Sequence, residues 1–258
     1  MIPNEYNVLK GAESFYIKGN NTGILLLHGF VGTPQSVQYI GEKYAEKGLT
    51  VLAPRLKGHG THYTDLNTIS YYEWINECID AYNTLKKECD QVFIIGQSMG
   101  GILALHLASI LKDVSGVITI NAAIHVPGYE IYRGAESPRY IHEGTPDIKD
   151  QAVNEITYEQ VPLHSIKQLL SVIDHTKKTL YQVTCPLLLF KSSIDHVVPP
   201  ISTDFIYDSV QSQHKMIKIL NNSYHVASMD YDKNIIINHT IDFITDVKSQ
   251  KQKYKLLQ

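Results

Sequence analysis

Residues 91–109 read QVFIIGQSMGGILALHLAS, and no other stretch restricts the fold as much. Val92, Phe93, Ile94 and Ile95 form an apolar run of strand formers too short to be a helix. Ile102, Leu103, Ala104, Leu105, Leu107 and Ala108 predict a strongly apolar helix. Only Gly96-Gln97-Ser98-Met99-Gly100-Gly101 separates the two. A turn this sharp forces its central serine into a strained backbone conformation, and neighbours without side chains relieve the crowding. The start of the helix then directs free N–H groups and positive dipole at the serine oxygen. Alone, G-x-S-x-G is equally a glycine-rich turn with an incidental serine. Between a strand and a helix it marks a nucleophile.

Further strands are expected over residues 14–18, 24–27, 49–53, 117–120, 187–190 and 216–220. Helices are expected over residues 35–47, closed by Gly48 as a C-cap, and over 71–88, 203–210 and 233–246. The 71–88 segment carries the apolar stripe Trp74, Ile75, Cys78, Ile79, Tyr82 and Leu85. Alternating strands and helices with short connections imply the α/β class, a mostly parallel sheet with helices on both faces. At about residues 123–181 the alternation breaks. Proline and glycine recur there, and the one amphipathic helix carries Ile166, Leu169, Leu170, Ile173 and Leu180. The segment reads as a cap inserted over the C-terminal edge of the sheet, within a single domain spanning residues 1–258.

A formal charge of −3 gives no footprint for nucleic acid. Lys248, Lys251, Lys253 and Lys255 read as a solvated basic end. Residues 1–10 lack the layout of a secretory leader and no apolar run is long enough to span a bilayer, so a soluble cytoplasmic protein is expected. Cys78 and Cys89, on one expected helix, are separated by roughly 16 Å, beyond disulfide reach. With Cys185 they read as free structural thiols.

In a parallel sheet, ligand sites gather at the C-terminal ends of the strands. Ser98, Asp195 (in Ser192-Ser193-Ile194-Asp195-His196) and His225 (in Asn221-Asn222-Ser223-Tyr224-His225) all follow strands and so share that edge. Their order, Ser, Asp, His, is that of an α/β-hydrolase triad. His214 precedes its strand, and His106 and His239 lie inside helices; His196, adjacent to Asp195, stays open as a competing base. The oxyanion needs two N–H donors, expected from Met99 and from Phe30 in His28-Gly29-Phe30, whether or not the Phe30 side chain also lines the pocket. Among the twelve histidines, His59-Gly60-Thr61-His62 has metal-like spacing but no acidic or cysteine partner nearby, so no metal and no cofactor are expected.

With these motifs the chain resembles the α/β-hydrolases. Through P-R-L-K-G-H-G-T-H-Y (54–63), D-H-V-V-P-P (195–200) and N-S-Y-H-V-A-S-M-D-Y-D (222–232) it resembles the bacterial monoacylglycerol lipases more specifically, with small bacterial carboxylesterases as broader relatives. The likeness covers nearly the whole chain. It implies cleavage of a monoacylglycerol to glycerol and a fatty acid. It also implies that Glu155 hydrogen-bonds the glycerol hydroxyls, against the alternative of a surface carboxylate. Ile124, Val126, Leu163, Leu169, Leu170 and Ile173 would shelter the acyl chain. Glu143 and Gly144 fall where such caps tend to be apolar. The partner is then an ester substrate, with at most transient contact with lipid surfaces through the cap. A carboxylesterase for other short or medium esters, and a non-catalytic scaffold binding a lipid or partner, remain as alternatives.

Overall fold

The computed structural model describes residues 6–256, with side chains as far as residue 250. Residues 1–5, which belong to the N-terminal segment read for a leader, and the side chains of Lys251, Lys253 and Lys255 in the basic tail lie outside the described residues.

The chain opens with β1 (Phe15–Ile17), β2 (Thr22–Leu27), α1 (Gln35–Glu46) and β3 (Thr50–Ala53). It continues through α2 (Tyr71–Lys86), β4 (Gln91–Gln97), α3 (Met99–Ile110) and β5 (Gly116–Ile120). After the cap come β8 (Leu187–Ser192), α6 (Ile201–Ser209), β9 (Lys215–Leu220) and α7 (Lys233–Leu256). These strands form one seven-stranded sheet in the order β1-β3-β2-β4-β5-β8-β9, parallel except for β1 against β3. Successive side chains of a strand point to opposite faces. Leu25, Leu27, Ile94, Val117, Leu187 and Leu189 therefore enter a core with α2, α3 and the cap helix. Ile24, Leu26, Phe93, Ile95, Ile118, Leu188 and Phe190 enter a second core with α1 and α7.

Local chemistry sets the ends of the elements. Gly48, at φ 83°, closes α1 by donating its N–H to Ala45 O at 2.8 Å. Ser70 and Glu73 form a capping box at the start of α2. That helix stops at Lys86, so Cys89 lies beyond it rather than on it; Cys78, Cys89 and Cys185 are free.

Between β5 and β8 the chain leaves the sheet. It forms α4 (Pro127–Glu130), the antiparallel pair β6 (Tyr140–His142) and β7 (Gln160–Pro162), and α5 (Leu163–Lys177). Leu180 stands on a separate 3₁₀ turn, not on α5 as its spacing predicts. The β6–β7 pair has no signal in the sequence, because its two strands have three residues each and lie far apart in the chain. Among the described residues no helix is long and apolar enough to cross a membrane.

Candidate active site

Steric crowding builds the turn after β4. A Cβ on Gly96 would lie 2.1 Å from Gly100 C, and one on Gly100 would lie 2.3 Å from Leu27 O. Both neighbours are backbone, so neither position admits a side chain. Ser98 between them sits at φ 55°, ψ −116° and is 9% exposed. Its N–H donates to Ile120 O at 2.9 Å, and its carbonyl accepts from Ala123 N at 3.1 Å, so β5 and the chain after it hold the strained residue in place.

His225 Nε2 lies 2.8 Å from Ser98 Oγ, and His225 Nδ1 lies 2.8 Å from Asp195 Oδ2. Asp195 Oδ1 accepts from Val197 N at 2.9 Å and Val198 N at 2.7 Å, which orients the carboxylate. The side chains of His225 and Asp195 are 8% and 2% exposed, so this hydrogen-bonded pair sits at low dielectric. Burial disfavours charge on the His225 ring, but Asp195, and then Asp147 and Glu155, outweigh it and hold its pKa above the ordinary value. The carbonyl of His225 accepts from Gln97 Nε2 at 2.8 Å and Asn121 Nδ2 at 2.9 Å.

Phe30 lies in the loop after β2, and this loop runs against Ser98. A Cβ on Gly29 would touch Ser98 Cβ at 3.4 Å. Met99 opens α3, so its N–H has no acceptor inside the helix. Among the described residues no protein acceptor takes the N–H of Phe30 or of Met99. Both donors therefore remain free for an oxyanion beside Ser98. His28 braces this loop, with Nδ1 2.8 Å from Gly29 O and Nε2 accepting from Leu56 N at 3.1 Å. One ring nitrogen donates and the other accepts, so this histidine is neutral.

A cavity of about 100 Å³ opens over Ser98, lined by Phe30, Val126, Tyr129, Glu143, Glu155 and Leu169 among others. Glu155 sits against the loop after β2: a Cβ on Gly32 would lie 2.7 Å from its Oε1. Burial pushes the Glu155 carboxyl up to about 7. Of the apolar residues read as sheltering an acyl chain, only Val126 and Leu169 line the cavity. Ile124, Leu163, Leu170 and Ile173 are each 6% exposed or less but do not reach it. Ile124, Leu170 and Ile173 belong to the core under the cap, as Val126 and Leu169 also do. Amphipathic spacing identifies a buried face, and it cannot tell which part of that face meets a cavity and which meets α3.

His196 is not placed to act as the base. Its ring is 58% exposed and pairs with Asp147 Oδ1 at 2.7 Å. His59 and His62 point apart: His59 packs beside His28 and Trp74, while His62 stacks on Tyr6 and bonds Thr64. Sequence reasoning missed Asn121, Tyr129 and Asp147. Asn121 was findable, since it directly follows β5 at the same sheet edge, but Tyr129 and Asp147 lie in irregular cap chain with no periodicity to mark them. Glu143 accepts from the Tyr129 hydroxyl at 2.7 Å, and burial raises its carboxyl pKa.

Residues 20–232 match the Hydrolase_4 family, described as serine aminopeptidase S33. The chain is 43% identical to the thermostable monoacylglycerol lipase of Bacillus sp. (strain H-257) over 241 residues, 93% of this chain and 96% of the other. It is 26% identical to the carboxylesterase of Bacillus subtilis (strain 168), over 90% of this chain and 96% of the other. Among solved structures, one from work on LipS and LipT, two metagenome-derived lipolytic enzymes, superposes with a TM-score of 0.90 at 36% identity, covering 93% of this chain and 100% of that one.

Proposed function

Because the chain belongs to the Hydrolase_4 family of serine hydrolases with the α/β-hydrolase fold, and is a carboxylic ester hydrolase, we propose that it cleaves monoacylglycerols to glycerol and a fatty acid through an acyl-enzyme. His225 Nε2 takes the proton of Ser98 as Oγ attacks the ester carbon. Asp195 orients and stabilises the imidazolium. The N–H groups of Phe30 and Met99 stabilise the oxyanion, each contributing roughly 3 kcal/mol. Collapse returns the proton to the departing glycerol oxygen, and a water activated by the same nitrogen then frees the acid.

The observation that carries the glycerol reading is the Glu155 carboxylate, which faces the Ser98 cavity without a protein partner among the described residues and is seated on Gly32. A carboxylate is an acceptor for the two free hydroxyls of a monoacylglycerol. At about 100 Å³ the cavity is smaller than the roughly 300–1,000 Å³ of typical ligand pockets, so a long acyl chain enters with movement of the cap. Transient contact with a lipid surface belongs to the same reading, and Ile131 beside α4 is 74% exposed. A cytoplasmic location is also part of it, and the three free cysteines suit a reducing compartment.

The second reading, a carboxylesterase for other esters, is favoured by the Tyr129–Glu143 pair, which makes part of the cavity wall polar. The test measures kcat/KM on a monoacylglycerol and on the methyl ester of the same acid. Ser98→Ala is expected to abolish both activities. Glu155→Ala is expected to reduce the monoacylglycerol rate about tenfold or more and leave the methyl ester nearly unchanged. Equal loss on both substrates would favour the carboxylesterase reading.

A further inference from the structure

Asp147, from the cap, touches both loops that carry the base and the acid. Its Oδ2 accepts the backbone N–H of His225 at 3.1 Å and that of His196, the residue after Asp195, at 3.0 Å. Its Oδ1 pairs with the His196 ring, and its carbonyl accepts from Val226 N at 3.1 Å. The next cap residues are fastened to the same side. Lys149 N and Asp150 N donate to Asp230, at 2.8 and 3.1 Å, and Asp230 also accepts from Tyr224 N at 2.9 Å, next to the base. Asp230 is fully buried, and the Asp147 side chain is 14% exposed.

We propose that Asp147 is a positioning residue for the reaction: from the cap it ties the Asp195 loop to the His225 loop, so that the triad is complete only while cap segment 147–150 is seated on them. The inference rests on the reading of Ser98, His225 and Asp195 as the catalytic relay. It makes this part of the cap a portion of the machinery rather than a lid over it. Opening for substrate then falls to the other part of the cap, around α4 and β6, which has no bond to either triad loop among the described residues.

The charge of Asp147 has a second effect, because it faces the imidazolium that forms on His225. Around His225 stand Asp195, Asp147 and Glu155; Asp147 pairs with His196, and the charged residues that follow it in the chain, Lys149 and Asp150, are bonded to Asp230 through their N–H groups. The base must be neutral to act, so activity rises with pH through a His225 pKa above 6.5. Removing the Asp147 charge moves that limb to lower pH, whereas a purely structural role leaves its midpoint in place.

The experiment follows the rate of Ser98 labelling by a fluorophosphonate, and kcat and KM for a monoacylglycerol, between pH 5 and 9. It uses the full chain, Asp147→Asn and Asp147→Ala. The asparagine keeps one acceptor oxygen and the size of the side chain. Asp147→Asn is expected to fold, to lose about tenfold in kcat and in labelling rate with little change in KM, and to shift its acid limb downward; Asp147→Ala is expected to lose more. A folded Asp147→Asn protein with unchanged kcat and limb overturns the proposal, as does one that does not fold, since Asp147 would then serve the whole fold. If the unaltered chain itself is not labelled at Ser98, the catalytic reading fails and this inference goes with it.

Discussion

At Ser98 the backbone holds a conformation that costs on the order of 1–3 kcal/mol, and bonds to Ile120 and Ala123 maintain it. The glycines around it are required by close approach of backbone, not by positive φ. Gly32 differs, because what occupies its side-chain space is the tip of Glu155, a flexible neighbour. Gly32→Ala is therefore expected to fold but to displace the carboxylate. Its ratio of monoacylglycerol to methyl ester turnover should fall toward that of Glu155→Ala. An unchanged ratio, with Glu155→Ala reducing it, would show that the seat is not needed. Ser98, Asp195 and His225 could be picked out one by one because each lies within the few residues that follow a strand. Asp147 and Gly32 could not, since each matters through a residue far away in the chain.

Among the elements, α5 makes the distinction clearest. Leu169 and Leu170 are both 1% exposed and both belong to the core, yet only Leu169 also lines the cavity. Leu170→Ala is expected to destabilise the fold by about 2–5 kcal/mol, read in urea unfolding, without altering the preference for acyl length. Leu169→Ala should instead raise KM for the longer acyl chains. The reverse pattern would mean that the cap packs differently on α3. The α5 stripe was legible as a buried face, but the β6–β7 pair was not, because three-residue strands show no periodicity.

For the molecule as a whole, three buried histidines tie stability to pH. Burial lowers the pKa of His28 to about 3 and of His59 and His106 to about 4. The unfolded chain protonates these rings below about 6.5 while the fold keeps them neutral. It then binds more protons than the native state, and stability falls as the pH drops from about 6.5 toward 4. Each ring contributes up to about 1.4 kcal/mol per pH unit in that window, against a total of about 5–15 kcal/mol. Thermal melting at pH 7, 6 and 5 should show a falling Tm. His106→Leu should make the slope shallower, because it removes one of these titrating rings, and it breaks no bond of Nδ1, which has no partner among the described residues. A Tm independent of pH across this range would contradict the neutral assignment.

The linear order of strands and helices determined the sheet and the edge at which the loops gather, because parallel strands joined by helices send every strand-to-helix loop to one side. That rule is local, needing only the few residues after each strand, and it sufficed to bring Ser98, Asp195 and His225 together as candidates. Tertiary structure alone decided which cap side chains face the cavity, that Glu155 rests on Gly32, and that Asp147 bridges the loops of Asp195 and His225. These contacts join residues tens to more than a hundred positions apart through irregular chain. No periodicity encodes them, and only the packed fold sets the distances on which they depend.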